Sequence, residues 1–433
     1  MNAHKPTPGR RPHLWLAGLA ASITPLTLGS AGLFLKRLTI CLLGAALSLI
    51  LIAAGVVYLL WHNEIGALMS FEQVRERNYD HRDGSVYTMH VSGGFYLEEF
   101  IAQGGAKSDK ELISFITGKI TKGLIPMTIQ PTNVGCASFT AQTPEGDKLF
   151  GRNYDFNETN VCIVKTDGGN GRHATISSVD LQFLGLNRFK DVEGLIERIT
   201  CLAAPYAPLD GINDAGVSCG VYMSYQGSVR TVPTSQDTDR PDLTSTTLLR
   251  MILDYADNIE EAIEIAKSYD LHDSGNSSYH YMVADASGRS AILEWVNLTD
   301  RYDNDGAKRE LLVIYNDGDE AVGPLEANAD FQCVTNFIIA PGYYDGAPSK
   351  PRKGYDRYAK LYHVLGQTDG IVKDEQAAMD LLGVIGRRTW SNDDGNGCTV
   401  HSAVYNMTDR TVLWVSNENY ADETAIFRLG FDK

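Results

Sequence analysis

Cys136, Arg152 and Asp155 lie on the two arms of one short hairpin, in which CASFTAQT and KLFGRNYDF flank the turn PEGD. If Thr143 and Lys148 close that turn, facing residues have numbers summing to 291 and Cys136 stands opposite Asp155, with Cβ atoms ~5 Å apart. A thiol beside a carboxylate and near a guanidinium is a reactive constellation. Arg152, three residues from Asp155, points to the other face of an ideal strand and needs a bulge near Gly151 to join the pair. A buried structural cysteine beside an edge ion pair fits the same pattern, and these residues alone leave both readings open.

Other chemistries find little support. The seven cysteines (41, 136, 162, 201, 219, 333 and 398) form no CxxC and no spacing typical of zinc. The histidines are scattered, with no HExxH. DNDG at 303–306 and NDDGNG at 392–397 read as turns, because neither fits the EF-hand spacing. A Ser-His-Asp hydrolase is disfavoured by the absence of a G-x-S-x-G elbow. No metal or other cofactor is expected.

Charge divides the 433 residues unevenly. The total is −16, yet residues 1–62 hold five cations (Lys5, Arg10, Arg11, Lys36 and Arg37) and no acid. The remainder carries 33 cations against 54 acids, a formal −21, which opposes nucleic-acid binding because phosphates need a basic footprint. Leu38–Trp61 is 24 residues without a charge, long enough to cross a hydrocarbon core of ~30 Å. Leu14–Leu35 is also uncharged but is interrupted by Pro25, Gly29 and Gly32, so a single span is preferred. Cations precede the span and Glu64 and Glu72 follow it, which puts the N-terminus in the cytoplasm and everything after His62 outside. A cleaved signal peptide is the competing reading.

The elements that must hold the hairpin follow from periodicity. Ser70–Asp83 is polar and reads as a linker. Phe95–Ala102 and Asp109–Leu124 read as amphipathic helices, the second opened by a Ser108/Glu111 capping box. Further hairpins turn at ASGR and MTDR, and helices are expected over 192–204, 246–253, 259–269, 355–365 and 375–384. Hairpins interleaved with such helices imply antiparallel sheets covered by helices.

The wording of the segment settles the chemistry further. NVGCASFTAQTPEGDKLFGRNYDF resembles the start of the mature chain in the choloylglycine hydrolase family of linear amide C–N hydrolases, with penicillin V acylases, bile salt hydrolases, N-acylethanolamine amidases and acid ceramidase as relatives. The Arg and Asp of that family's GRN-x-D lie 16 and 19 residues past its Cys, as Arg152 and Asp155 do here. LDGINDAGVSCGVYMSYQ resembles its DG-x-NE-x-G-L segment, with Asn213 at the Asn and Asp214 replacing the Glu. YMVADASGRSAILEW, CVTN, GYDRYAKL and WSNDDGNGCTVHSAVYN resemble later motifs in the same order. The resemblance implies an α+β fold, a four-layer αββα N-terminal-nucleophile hydrolase sandwich of antiparallel sheets, here preceded by one transmembrane helix. The domains expected are 1–62 as anchor, 63–135 as linker and helical propeptide, and 136–433 as catalytic domain.

The resemblance also implies self-cleavage between Gly135 and Cys136, attack by Cys136 on an amide carbonyl, and an acyl-enzyme resolved by water. A cysteine at a chain's start joins nucleophile and base, because its α-amine, with a pKa of ~7.7–8, can accept the thiol proton. Asp155 is expected to orient that amine, Arg152 to hold the thiolate and Asp155, and Arg357 to complete the charge network. The oxyanion is assigned to the Asn336 side chain and the backbone N–H of Met223, and Asn213 belongs to the same pocket group. Met223 replaces an Asn or Tyr of better-known members, and its soft apolar wall fits an acyl chain. The two helices before Cys136 suggest a propeptide that stays bound after cleavage. The expected partners are an N-acylated small molecule and the membrane, with no nucleic acid, and self-association stays open. Acyl transfer to an amine and a non-catalytic surface binding protein are the alternatives, the latter opposed by the joint presence of Cys136, Arg152, Asp155, Asn336 and Arg357.

Overall fold

The computed structural model describes residues 16–123, 134–186, 191–225, 232–297, 299, 305–318, 328–341, 343, 352–388, 390 and 397–431, with side chains from residue 30 onward. The first half of DNDG and all of NDDGNG but Gly397 lie outside these residues. The chain forms two units, Met1–His62 and Asn63–Lys433. The helices are α1 (Leu16–Ser70), α2 (Leu97–Ala102), α3 (Asp109–Ile120), α4 (Leu195–Cys201), α5 (Ser245–Tyr255), α6 (Ile259–Ser268), α7 (Tyr355–Gly366) and α8 (Glu375–Val384). The first strands are β1 (Glu72–Arg75), β2 (Val86–Val91), β3 (Gly135–Gln142), β4 (Lys148–Phe156), β5 (Val161–Thr166), β6 (Thr175–Asp180), β7 (Asp210–Asn213), β8 (Ser218–Met223) and β9 (Asp242–Thr244). They are followed by β10 (Asp270–His272), β11 (Tyr279–Ala284), β12 (Ser290–Val296), β13 (Glu310–Tyr315), β14 (Cys333–Val334), β15 (Cys398–Asn406), β16 (Thr411–Ser416) and β17 (Ile426–Gly430).

One sheet has the order β1-β2-β5-β6-β7-β8-β11-β12-β13 and the other β14-β3-β4-β15-β16-β17. They face each other: Trp414 Nε1 of β16 donates to Ser178 Oγ of β6 (3.2 Å) and Tyr222 of β8 to Ser138 of β3 (2.6 Å). Helices α5 and α6 cover the nine-stranded sheet, and α7 and α8 the six-stranded one. The result is the expected α+β arrangement of four layers, αββα. Within the two sheets β2 alone departs from antiparallel pairing, running parallel to β5.

Four expectations need correction. Ser70–Asp83 is not a free linker: β1 pairs with β2, and Asn78 and Asp83 exchange backbone hydrogen bonds. Helix α3 stops at Ile120, because Lys122 and Gly123 take left-handed backbone (φ +52° and +81°); Leu124 lies outside the described residues. Helix α1 continues through Pro25 as one backbone helix and departs from helical geometry at Trp61 (φ −135°), where the uncharged run ends. Among the described residues it contains one stretch, Ser30–Ser70, long and apolar enough to cross a membrane.

The fourth concerns the first hairpin. The loop is Thr143–Asp147, with Gly146 at φ +99°, so Gln142 pairs with Lys148. Facing residues sum to 290, and the ladder runs unbroken to Gly135 opposite Asp155. A slip of one residue exchanges faces: Cys136 faces Tyr154, Arg152 joins the Cys136 face without a bulge, and Asp155 turns to the other. Gly151 serves close packing instead, since a Cβ there would lie 2.6 Å from the Phe139 ring.

Candidate active site

The face of β3 and β4 that carries Cys136, Ser138, Arg152 and Tyr154 points between the sheets, and every one of these residues is fully buried. Arg152 Nη2 donates to Val221 O (2.8 Å), and the Cys136 thiol donates to the same carbonyl across a longer 3.8 Å. Arg152 Nε donates to Asp210 Oδ2 (3.2 Å), and its guanidinium stacks 4.2 Å from the Tyr222 ring centroid. Its buried Nη1 has no hydrogen-bond partner, leaving donors for a thiolate. Burial, reinforced by Asp155, pushes the Cys136 thiol up to about 11 despite Arg152 and Arg357. With the Gly135–Cys136 bond intact, Cys136 is therefore a neutral thiol near pH 7.

Asp155 works from the opposite face. Its carboxylate pairs with Arg357 of α7 and accepts from Thr399 of β15 (2.7 Å). Asn336, just beyond β14, joins the two faces. Its Oδ1 accepts from the Cys136 backbone nitrogen (2.9 Å) and from Arg357 Nη2 (3.1 Å), while its Nδ2 donates to Met223 O (3.0 Å). The atom held against the Cys136 nitrogen is thus Asn336 Oδ1, whereas Asp155 acts on Arg357.

Strand β8 supplies the floor. Ser224 donates to Ser278 O on the β11 side (2.8 Å), so alternation turns the amide and carbonyl of Met223 to the other edge. There the ladder with β7 ends at Asp210–Gly220. The carbonyls of Val221 and Met223 accept from Arg152 and Asn336 on that edge, beside Cys136. The Met223 sulfur accepts from Val134 N (3.1 Å), so this side chain packs on the segment that precedes the Gly135–Cys136 bond. Asn213 lies apart from the group: its amide donates to Leu253 O and Ala256 O and accepts from Val217 N, which ties a turn to α5.

Three supporting groups escaped the sequence reading. Asp210, inside the quoted LDGIN segment, accepts from Arg152, from His401 Nε2 (2.9 Å) and from Tyr405 Oη (2.5 Å). Burial opposes its charge, but His401 and Arg152 outweigh that and hold it below the usual carboxylate range. His280 and Glu294 face each other across β11 and β12. His280 Nε2 must donate to Thr335 O (2.8 Å), a pure acceptor, which leaves Nδ1 for Glu294 (2.8 Å). Glu294 also accepts from Ile339 N and Ala340 N, so the pair clamps the loop that presents Asn336. Thr399 is the third. The alternation of β7 is the sequence signal that would have found Asp210, and the hairpin at ASGR the one that sets His280 opposite Glu294; Thr399 depends on a pairing between distant strands.

Residues 136–299 match the family model described as linear amide C–N hydrolases, choloylglycine hydrolase family. No curated protein matches the chain. Among solved structures, penicillin V acylase from Agrobacterium tumefaciens is 14% identical with a TM-score of 0.41, over 65% of this chain and 83% of its own. A variant of conjugated bile acid hydrolase from Clostridium perfringens is 13% identical with a TM-score of 0.44, over 69% and 98%. A Caenorhabditis elegans ortholog of N-acylethanolamine-hydrolyzing acid amidase is 15% identical with a TM-score of 0.35, over 69% and 100%.

Proposed function

We infer, from a region at residues 136–299 that belongs to the linear amide C–N hydrolases of the choloylglycine hydrolase family, that this protein hydrolyses the amide bond of an N-acylated small molecule through Cys136. The observation that carries this reading is that both reactive atoms of one residue are held by separate elements: the sulfur by Arg152 and Val221, the nitrogen by Asn336.

Cleavage of the Gly135–Cys136 bond turns that nitrogen into an amine. In the uncut chain a thiol pushed up to about 11 has no such base on its own residue; afterwards the amine takes the thiol proton. The thiolate then attacks the acyl carbon, the C–N bond breaks, and the leaving nitrogen recovers the proton from the Cys136 ammonium. Water hydrolyses the thioester to a carboxylic acid and restores the thiol. The Met223 N–H and an Asn336 Nδ2 hydrogen are the donors assigned to the oxyanion. Arg152 stabilises the thiolate, and Arg357, fixed by Asp155, holds Asn336. Self-cleavage makes Gly135 the first acyl group of the enzyme, so Met223, packed on Val134, lines the acyl side and favours an apolar chain.

Residues 63–123 stay with the catalytic chain after cleavage in this reading, and α1 anchors both to the membrane with the catalytic part outside. Support comes from β2, which is ladder-paired to β5, and from the aromatic cluster of Phe100 and Phe115 with Tyr206. Intact mass and N-terminal sequencing test the core of the proposal. A new 298-residue chain beginning at Cys136 and absent from Cys136→Ala is expected; an uncut wild-type chain that still hydrolyses amides overturns it.

A further inference from the structure

The Thr399 oxygen accepts from Arg387 N–H (3.0 Å), so its single proton is free to go to Asp155 Oδ1 (2.7 Å). Thr399 faces Asp155 across the ladder, and the register then jumps at Val400, so that His401 faces Tyr154. This is the bulge of the site, on β15 and not on β4, and it aims Thr399 at the carboxylate. Behind Thr399 stands Glu418, whose carboxylate accepts from Arg388 N (3.0 and 3.1 Å) and from the Thr399 backbone. Asn417 and Glu418 are consecutive non-glycine residues in left-handed backbone (φ +51° and +60°), a strained turn that brings this carboxylate inward. Gly386 leaves room for it, since a Cβ there would lie 2.3 Å from Glu418 Oε1.

The chain of contacts ends across the cleavage site. Arg388, whose Nε lies 3.5 Å from Glu418, donates through Nη2 to Asp83 Oδ1 (2.7 Å) and His81 O (3.0 Å). Asp83 is fully buried, and its second oxygen accepts from Asn419 Nδ2 (2.8 Å). A residue that precedes Cys136 is therefore linked, through Arg388, Glu418 and Thr399, to the carboxylate that fixes Arg357.

We propose that Thr399, Glu418 and Arg388 are positioning residues for Asp155, and that Asp83 of the segment before Cys136 completes the set in the cleaved enzyme. The proposal rests on the hydrolase reading above. The test uses full-length protein in detergent with Thr399→Val, Thr399→Ser and Asp83→Asn. Two readouts need no substrate: the rate of cutting at Gly135–Cys136, and the pH profile of Cys136 alkylation by iodoacetamide in the cut protein. The titratable and charged groups that act on Cys136 are Arg152 and Tyr154 of β4 on its own face, Tyr222 of β8, and, from the opposite face, Asp155 of β4 and Arg357 of α7. Thr399→Val is expected to slow cutting by about tenfold, the worth of one hydrogen bond to a charged group, and to move the alkylation midpoint by ~0.5 pH unit or more. Thr399→Ser is expected to restore both, and Asp83→Asn to move the midpoint in the same direction. A Val variant with wild-type rate and profile, equal defects in Val and Ser, or an unmoved Asp83→Asn profile would each overturn the proposal. If wild type is not cut at Cys136, the hydrolase reading itself fails, whatever the variants do.

Discussion

Replacing Arg77 with Ala tests whether the segment before Cys136 is held as firmly as its burial implies. The Arg77 guanidinium is 1% exposed and reaches three residues that follow Cys136 in the chain: Glu158 Oε1 (2.7 Å), Asn160 Oδ1 (2.6 Å) and Asp191 Oδ1 (3.3 Å). Removing one partner of a buried pair costs about 3–5 kcal/mol, because the other charge stays buried without compensation. Glu158, whose side chain is 10% exposed, is left in that state. At ~1.4 kcal/mol per tenfold, the change weakens attachment of the cut segment by about two to three and a half orders of magnitude. Cut protein, immobilised through a C-terminal tag in detergent, is washed with rising urea while the retained N-terminal fragment is quantified. Wild type is expected to keep the fragment well beyond the concentration that strips Arg77→Ala, and Glu158→Gln in the Arg77→Ala background should recover part of the loss. Equal release midpoints for wild type and Arg77→Ala would refute the reasoning, and so would loss of the wild-type fragment in salt without urea.

Two further outcomes follow from buried carboxylates. Glu294→Gln leaves His280 or one of the amides of Ile339 and Ala340 without its acceptor. It should destabilise the protein by about 2–4 kcal/mol in urea unfolding and slow cutting at Cys136; unchanged stability would show that the pair does not clamp the loop. Burial, foremost, raises the Glu418 carboxyl from 4.5 to about 6, and Asp155 adds to this. A raised carboxyl contributes stability at low pH that is lost as pH climbs from the unfolded value through about 6. The stability of wild type relative to Glu418→Gln should therefore fall by about 2 kcal/mol between pH 4 and pH 7; a constant difference, or one of the opposite sign, contradicts the assignment.

The sequence by itself named the residues of the proposed chemistry and much of the element list. Cys136, Arg152 and Asp155 at family spacing, the CVTN and GYDRY segments, and the acid-free apolar N-terminus are local patterns that survive without any knowledge of packing. The hairpins at ASGR and MTDR and the helices from Tyr355 and Glu375 form as read, since periodicity and capping act over a few residues. What tertiary structure decided is everything that depends on a register or on a distant strand. A single left-handed glycine at 146 moved the hairpin by one residue, and with it decided that Arg152 shares the face of the thiol while Asp155 turns to Arg357 and Thr399. Asp210 is marked by the alternation of β7, but its donors come from β4 and β15; Glu294 pairs with His280 within one hairpin, but the loop amides of Ile339 and Ala340 that it holds come from far along the chain; and Thr399 carries no local signature, because the acceptor of its proton, Asp155, lies 244 positions away. The stretch that reads as a polar linker became a paired strand for the same reason: a ladder partner and buried counter-charges outweigh weak local preference when the rest of the sheet is already in place.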